Sequence, residues 1–398
     1  MKTAVYPALD FLKEELSLLE QEGRRKPLRI LSTAQLPVSI IDGKEVINLS
    51  SNNYLGLAAH PKLKEAAKKA VDQYGVGPAA VRPIIGTQTI HKRLEERLAR
   101  FKGTPAATLL TSGFTTNVAV VQTLLDNEND LLVSDELNHA SIIDGGRLSR
   151  AKRFVYPHRN IKALEEILEK NAAGTRRRMI VTDGVFSMDG DVAPLPEILK
   201  TAEKFDAVLM VDDAHATGVM GPNGRGTPSH FGLTEKIPIQ IGTLSKAVAA
   251  VGGYVASTKE MQEILYHKAR PFLFTSSPPA SVAASCLAAL DILETEPSRI
   301  ERLWKNAEFF KGELKKMGFD TGASETPITP VIVGDTDKAR KFEGMLFAEG
   351  VFALSIVFPT VARGRERLRT IVSSEHTQEH LNQALSAFRK TGRALGLI

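Results

Sequence analysis

The chain has 398 residues, 43% of them hydrophobic, which is ordinary for a folded globular protein and enough for a large core spread over two or three domains. Its net charge of +5 comes from interspersed residues, with GRRK at Gly23 to Lys26 the nearest approach to a basic block, so no nucleic-acid partner is expected. A single cysteine, Cys286, excludes an intrachain disulfide framework and a multi-cysteine metal site; no metal is expected, and the apolar neighbours SVAASCLAAL make Cys286 a core residue.

The first stretch, MKTAVYPALDFLKEELSLLEQEG, lacks a basic start followed by an apolar run. Its charges recur at helical spacing, so it reads as an amphipathic helix with no signal peptide. No apolar run approaches membrane-spanning length, and the cytosol is the expected compartment. Residues 1–58 are expected to form an N-terminal arm.

From about residue 105 to 258 short apolar runs alternate with helical stretches. The runs are ATLLTSG, DLLVSDE, KRFVYPH, RMIVTDG, AVLMVDDAH, IQIGTLSK and GGYVAST. Runs that are apolar along their whole length predict strands covered on both faces, and the alternation predicts a mainly parallel α/β sheet. Ligands of such sheets sit at the carboxyl ends of the strands. Ser112, Asp135, Asp183, Asp212, His215 and Lys246 collect there. Residues 59–290 are therefore expected to be a large domain. A long helical stretch begins after TSSPPASVAAS, with Pro278 and Pro279 near its start. Beyond Gly318, TPVIVG, GVFALSIV and RLRTIVS read as strands and two segments as helices, a small α+β C-terminal domain over 291–398.

Several of these strand ends carry chemistry. Lys246 is the lone charge in GTLSKAVAAVGGY, and a lysine held out of water is costly unless it is paired or deprotonated. Asp212 and His215 follow the run VLMV; Asp212 either caps the next turn or meets a positive partner. His139 follows a third run. Gly113 and Phe114 stand at a strand-to-helix junction, where free N–H groups can hold a phosphate. Alone each is ordinary. Together they offer an amine, a carboxylate, an imidazole and a phosphate cradle, the set that pyridoxal phosphate (PLP) needs.

With the ordered motifs DELNHASIIDG, VTDGVFSMDGD, VDDAHATGVMG, GTLSK and SSPPA, the chain resembles the α-oxoamine synthases, fold-type I PLP-dependent transferases, from NLSSNNYLGLAAHP to RERLRTIVSSEHT. The resemblance implies an α/β fold with a mainly parallel seven-stranded sheet in the large domain. It also implies these roles. Lys246 carries PLP and acts as the base. Asp212 pairs with the ring nitrogen, His139 stacks on the ring, and His215 and Ser187 reach the ring hydroxyl. Gly113, Phe114 and Thr243 hold the phosphate, Thr275 and Ser276 reach it from the other subunit of a homodimer with shared sites, and Asn52 and Arg369 bind the amino-acid carboxylate. The implied reaction condenses glycine or alanine with an acyl-CoA and releases CoA.

Within the family, VRPIIGTQTIHKRLE (Val81 to Glu95) is similar to the glycine C-acetyltransferase pattern. VFPTV places Val357 where many biotin-pathway synthases carry arginine. The expectation is a glycine C-acetyltransferase of threonine catabolism. The alternative is 8-amino-7-oxononanoate synthase, from pimeloyl thioester and L-alanine in biotin biosynthesis. A PLP aminotransferase or aldolase is more remote.

Overall fold

The seven apolar runs become seven strands in one sheet of the computed structural model, which describes residues 6–22, 24–25 and 28–398. Residues 1–5, 23, 26 and 27 of the expected arm, with Gly23 and Lys26 of the basic run, lie outside the described residues. In chain order the strands are β1 (Val38–Ile41), β2 (Lys44–Asn48), β3 (Ala106–Leu110), β4 (Leu131–Asp135), β5 (Lys152–Tyr156), β6 (Arg178–Asp183) and β7 (Val208–Asp212). They continue with β8 (Ile239–Thr243), β9 (Gly253–Ser257), β10 (Ile328–Ile332), β11 (Val351–Phe352), β12 (Leu354–Ile356) and β13 (Arg367–Ile371).

The large sheet has the order β3-β9-β8-β7-β6-β4-β5. Only β9 runs against its neighbours, so the amino end of β9 joins the carboxyl ends of the other six. Strands β3, β4, β8 and β9 are buried at every residue, which is why they read as unbroken apolar runs. KRFVYPH departs from the expectation of two covered faces. It forms the edge strand β5, with Lys152, Arg153 and Val155 exposed and only Tyr156 buried.

The long helical stretch after Pro279 divides at Glu296–Pro297 into Ala280–Thr295 and Ser298–Lys316. The first is apolar nearly all round, packs against the helix Pro61–Tyr74 and buries Cys286, which pushes the thiol up to about 12. GVFALSIV also divides. β11 pairs in parallel with β2, and β12 pairs antiparallel with β13. Buried Ala353 stands between them, so the single run serves two small sheets. The N-terminal strands β1 and β2 thus share a sheet with β11, and β10, β13 and β12 form the third sheet. The helix of the N-terminal stretch covers Phe11–Gln21 and buries none of its own side chains. Among the described residues no helix is long and apolar enough to cross a membrane.

Candidate active site

The segments that follow β3, β4, β6, β7 and β8 enclose a cavity of about 260 Å³. Gly113, Phe114, His139, Ser187, Asp212, His215, Thr243 and Lys246 all line it. Asn52 and Arg369 stand beside it: Arg369 Nε donates to the Ser187 carbonyl at 2.5 Å, and its Nη1 is 3.5 Å from Asn52 Oδ1. Thr275 and Ser276 do not line the cavity of their own chain. They stand on the loop where Ser276 bridges to Val81.

The helix Gly113–Leu124 opens on this cavity. Ser112 caps it by accepting the Thr115 N–H at 3.0 Å, which leaves the N–H groups of Gly113 and Phe114, in the first turn, facing an anion's natural position. A Cβ on Gly113 would stand 3.1 Å from Thr243 Cβ, a tight contact, so glycine lets the helix start lie close against that wall. Thr243 Oγ1 is bonded to the Gly252 carbonyl at 3.0 Å and to Ser245 Oγ at 2.8 Å, so the hydroxyl is fixed at the same wall.

Burial lowers the Lys246 amine to about 8, against the attraction of Asp212 and with the help of the nearby Arg369 cation. A useful fraction is therefore the neutral nucleophile near physiological pH. Burial also holds the imidazole of His215 well below its usual range, with Lys246 and Arg369 adding to the effect. Its Nδ1 lies 2.8 Å from the hydroxyl of buried Tyr54. His139 is lowered too, mainly by burial. Its Nδ1 accepts the Ser141 N–H at 3.2 Å, which leaves Nε2 as the protonated nitrogen of the neutral ring.

The adjacent carboxylates of Asp212 and Asp213 separate into two environments. Asp213 turns away into the core and meets the ammonium of Lys102 at 2.8 Å, both fully buried. Thr227 donates to the same carboxylate, and a Cβ on Gly226 would stand 1.9 Å from it, so that left-handed position must be glycine. Asp212 faces the cavity. Its Oδ1 accepts the Ala214 N–H at 2.8 Å and its Oδ2 accepts Asn117 Nδ2 at 2.6 Å. Asp183, directly opposite on β6, also lines the cavity. Sequence reasoning passed over Tyr54, Lys102, Asn117 and Ser141. The one signal for Asn117 was a lone amide in the apolar run NVAVV.

The donor set suits PLP on observations internal to this cavity. It has an amine that burial lowers to about 8, a carboxylate fixed by two donors, unpaired first-turn N–H groups, and a glycine where a Cβ would crowd the wall.

The sequence profile of aminotransferase class I and II matches residues 44–388. An 8-amino-7-oxononanoate synthase of Symbiobacterium thermophilum is 57% identical over 98% of this chain and 99% of its own length. 8-Amino-7-oxononanoate synthase 1 of Bacillus subtilis is 52% identical over 98% and 99%. Among solved structures, a serine palmitoyltransferase of S. paucimobilis with PLP and myriocin bound has a TM-score of 0.92 at 32% identity, covering 99% of this chain and 100% of that one. An 8-amino-7-oxononanoate synthase of Francisella tularensis has a TM-score of 0.77 at 28% identity, covering 89% and 99%. These relatives correct the expectation of a glycine C-acetyltransferase and of threonine catabolism: the names found at 50–57% identity are those of the alternative. Wording of the Val81–Glu95 loop is a short local signal, and whole-chain identity outweighs it. Val357 is likewise a single position, and whole-chain identity outweighs it too.

Proposed function

This chain belongs to the aminotransferase class I and II family, as a PLP-dependent α-oxoamine synthase, and we propose that it performs the 8-amino-7-oxononanoate synthase reaction. The carrying observation is near-full-length identity of 50–57% to relatives of that name, together with the cavity around Lys246. The product name sets the atom balance. Its nine-carbon chain takes two carbons from L-alanine, the amine-bearing carbon and its methyl. The other seven come from the acyl group of a seven-carbon diacid thioester. A carbon–carbon bond forms at the amino acid's Cα as the thioester C–S bond breaks, and the alanine carboxyl leaves as CO2.

PLP, when bound, supplies an electron sink for the carbanion at that Cα. The chain's own residues do the rest. Lys246 binds the cofactor, and its amine moves the Cα proton. Asp212 holds the proton of the ring nitrogen, His139 covers the ring face, and His215 and Ser187 orient the ring hydroxyl. The N–H groups of Gly113 and Phe114, with Thr243, hold the phosphate. Arg369 and Asn52 bind the amino-acid carboxylate; a buried guanidinium with one edge committed to Ser187 keeps the other for a ligand. Thr275 and Ser276 serve the cavity of a second copy. That fits the exposure of Ile84 (78%), Ile85 (79%) and Phe274 (70%) around that loop, an apolar surface suited to a homodimer.

Thiol release tests the reading. Pimeloyl-CoA with L-alanine is expected to turn over faster, by kcat/KM, than acetyl-CoA with glycine. The reverse order would overturn it.

A further inference from the structure

Asp183 and Asp212 end adjoining strands in direct register, and both are buried. Two carboxylates in one buried site do not both ionise cheaply. Burial, and then Asp212, push the Asp183 carboxyl well above the usual range, which favours its protonated form. The donors around the pair are unequal. Asp183 Oδ2 accepts the His139 N–H at 3.1 Å. Asp212 accepts the Ala214 N–H and also the Asn117 amide, at 2.6 Å.

Asn117 is buried in the first half of the helix Gly113–Leu124, followed by four buried apolar residues, Val118 to Val121. Its NH2 group spends both hydrogens, one on Asp212 and one on Ser141 Oγ at 2.9 Å. Ser141 Oγ lies 2.7 Å from His139 Nδ1, so the amide ties Asp212 to the imidazole across the cavity. The amide oxygen, Asn117 Oδ1, is buried without a partner. Turning the amide round would set that oxygen against the Asp212 carboxylate, acceptor on acceptor. The fold therefore tolerates a buried orphan acceptor and aims a donor at Asp212. An asparagine kept for packing alone has no reason to carry that penalty.

We propose that Asn117 is a positioning residue that directs the negative charge of the Asp183–Asp212 pair onto Asp212, and so sets the affinity and protonation of PLP at its ring nitrogen. The inference rests on PLP binding alone and is independent of the substrate reading. The other titratable groups facing the pair are Lys246 after β8, His139 and Asp135 from β4, Tyr254 on β9, and, through Lys246, Arg369 and His215. All are unchanged in the variants that test it.

The test uses Asn117→Ala and the isosteric Asn117→Asp in the full chain. It measures the PLP dissociation constant, the pH midpoint of the bound PLP absorbance, and the melting temperature of the PLP-free protein. Loss of a charge-assisted hydrogen bond predicts PLP binding about 10- to 100-fold weaker in Asn117→Ala, and a midpoint moved by roughly one pH unit. Asn117→Asp is expected to bind poorly at pH 8. It should recover toward wild type at pH 5.5, where the new carboxyl regains a proton to donate. If Asn117→Ala fails to fold, Asn117→Asp decides. Affinity within about threefold of wild type and an unmoved midpoint would overturn the proposal. So would a loss equal at both pH values that tracks a lower melting temperature.

Discussion

Lys102→Met is the sharpest test of how the adjacent carboxylates are kept apart. Lys102 and Asp213 are both fully buried, and their 2.8 Å contact is the ion pair of that carboxylate among the described residues. Burial opposes the Lys102 charge, yet Asp213 holds the ammonium above its ordinary value. Methionine keeps most of the stem volume but leaves Asp213 with donors from Thr227 alone. Breaking a buried pair from one side costs about 3–5 kcal/mol, because the surviving charge stays buried. A chain of this length unfolds with an entropy on the order of 0.8 kcal/mol/K, so Tm should fall by about 5 °C. Circular dichroism of the PLP-free protein measures this directly. The double variant Lys102→Met/Asp213→Asn removes both charges and should regain at least ~2 kcal/mol of the loss. A single-variant loss below ~1 kcal/mol, or strictly additive losses, would refute the claim that the pair is coupled through charge.

Four further outcomes are expected. Lys246→Ala should abolish turnover while leaving Tm close to wild type. In the PLP-free wild type, acylation of Lys246 should be half-maximal near pH 8, followed by peptide mass spectrometry, whereas a lysine titrating near 10.4 would contradict the burial argument. Arg369→Lys should raise KM for the amino acid about 10- to 100-fold and leave KM for the acyl thioester unchanged, because an ammonium cannot make the guanidinium's two-point contact. An equal rise in both would assign Arg369 elsewhere. Burial disfavours the His158 cation, but Asp135 and Asp191 on either side raise it to about 9. A raised histidine stabilises fully below about pH 6.5 and loses that contribution as pH rises through about 9. The Tm gap between wild type and His158→Gln should therefore narrow from pH 6 to pH 9.5; a constant gap would mean the ring acts only by packing on Phe186.

The sheet was legible because a parallel strand covered on both faces has to be apolar throughout, and the first polar residue after each run then marks a strand end. That rule marked the strand ends at Asp183 and Asp212, and His139 and Lys246 follow theirs by a few residues; all four line one cavity. It failed at β5, where an edge strand keeps an apolar residue, Val155, in solvent. The residues that tune the site escaped because their partners are remote in the chain. Lys102 meets Asp213 across 111 positions, Asn117 meets Asp212 across 95, and Tyr54 meets His215 across 161. No local pattern encodes such pairings; each polar side chain simply looks misplaced where it stands. A buried lysine ending an amphipathic helix and an asparagine ahead of four apolar residues are both costly in isolation. The cost is itself the signal. Around this strand end the polar residues that violate local patterning supply a donor to Asp212, which faces the cavity, and the countercharge to Asp213, buried behind it.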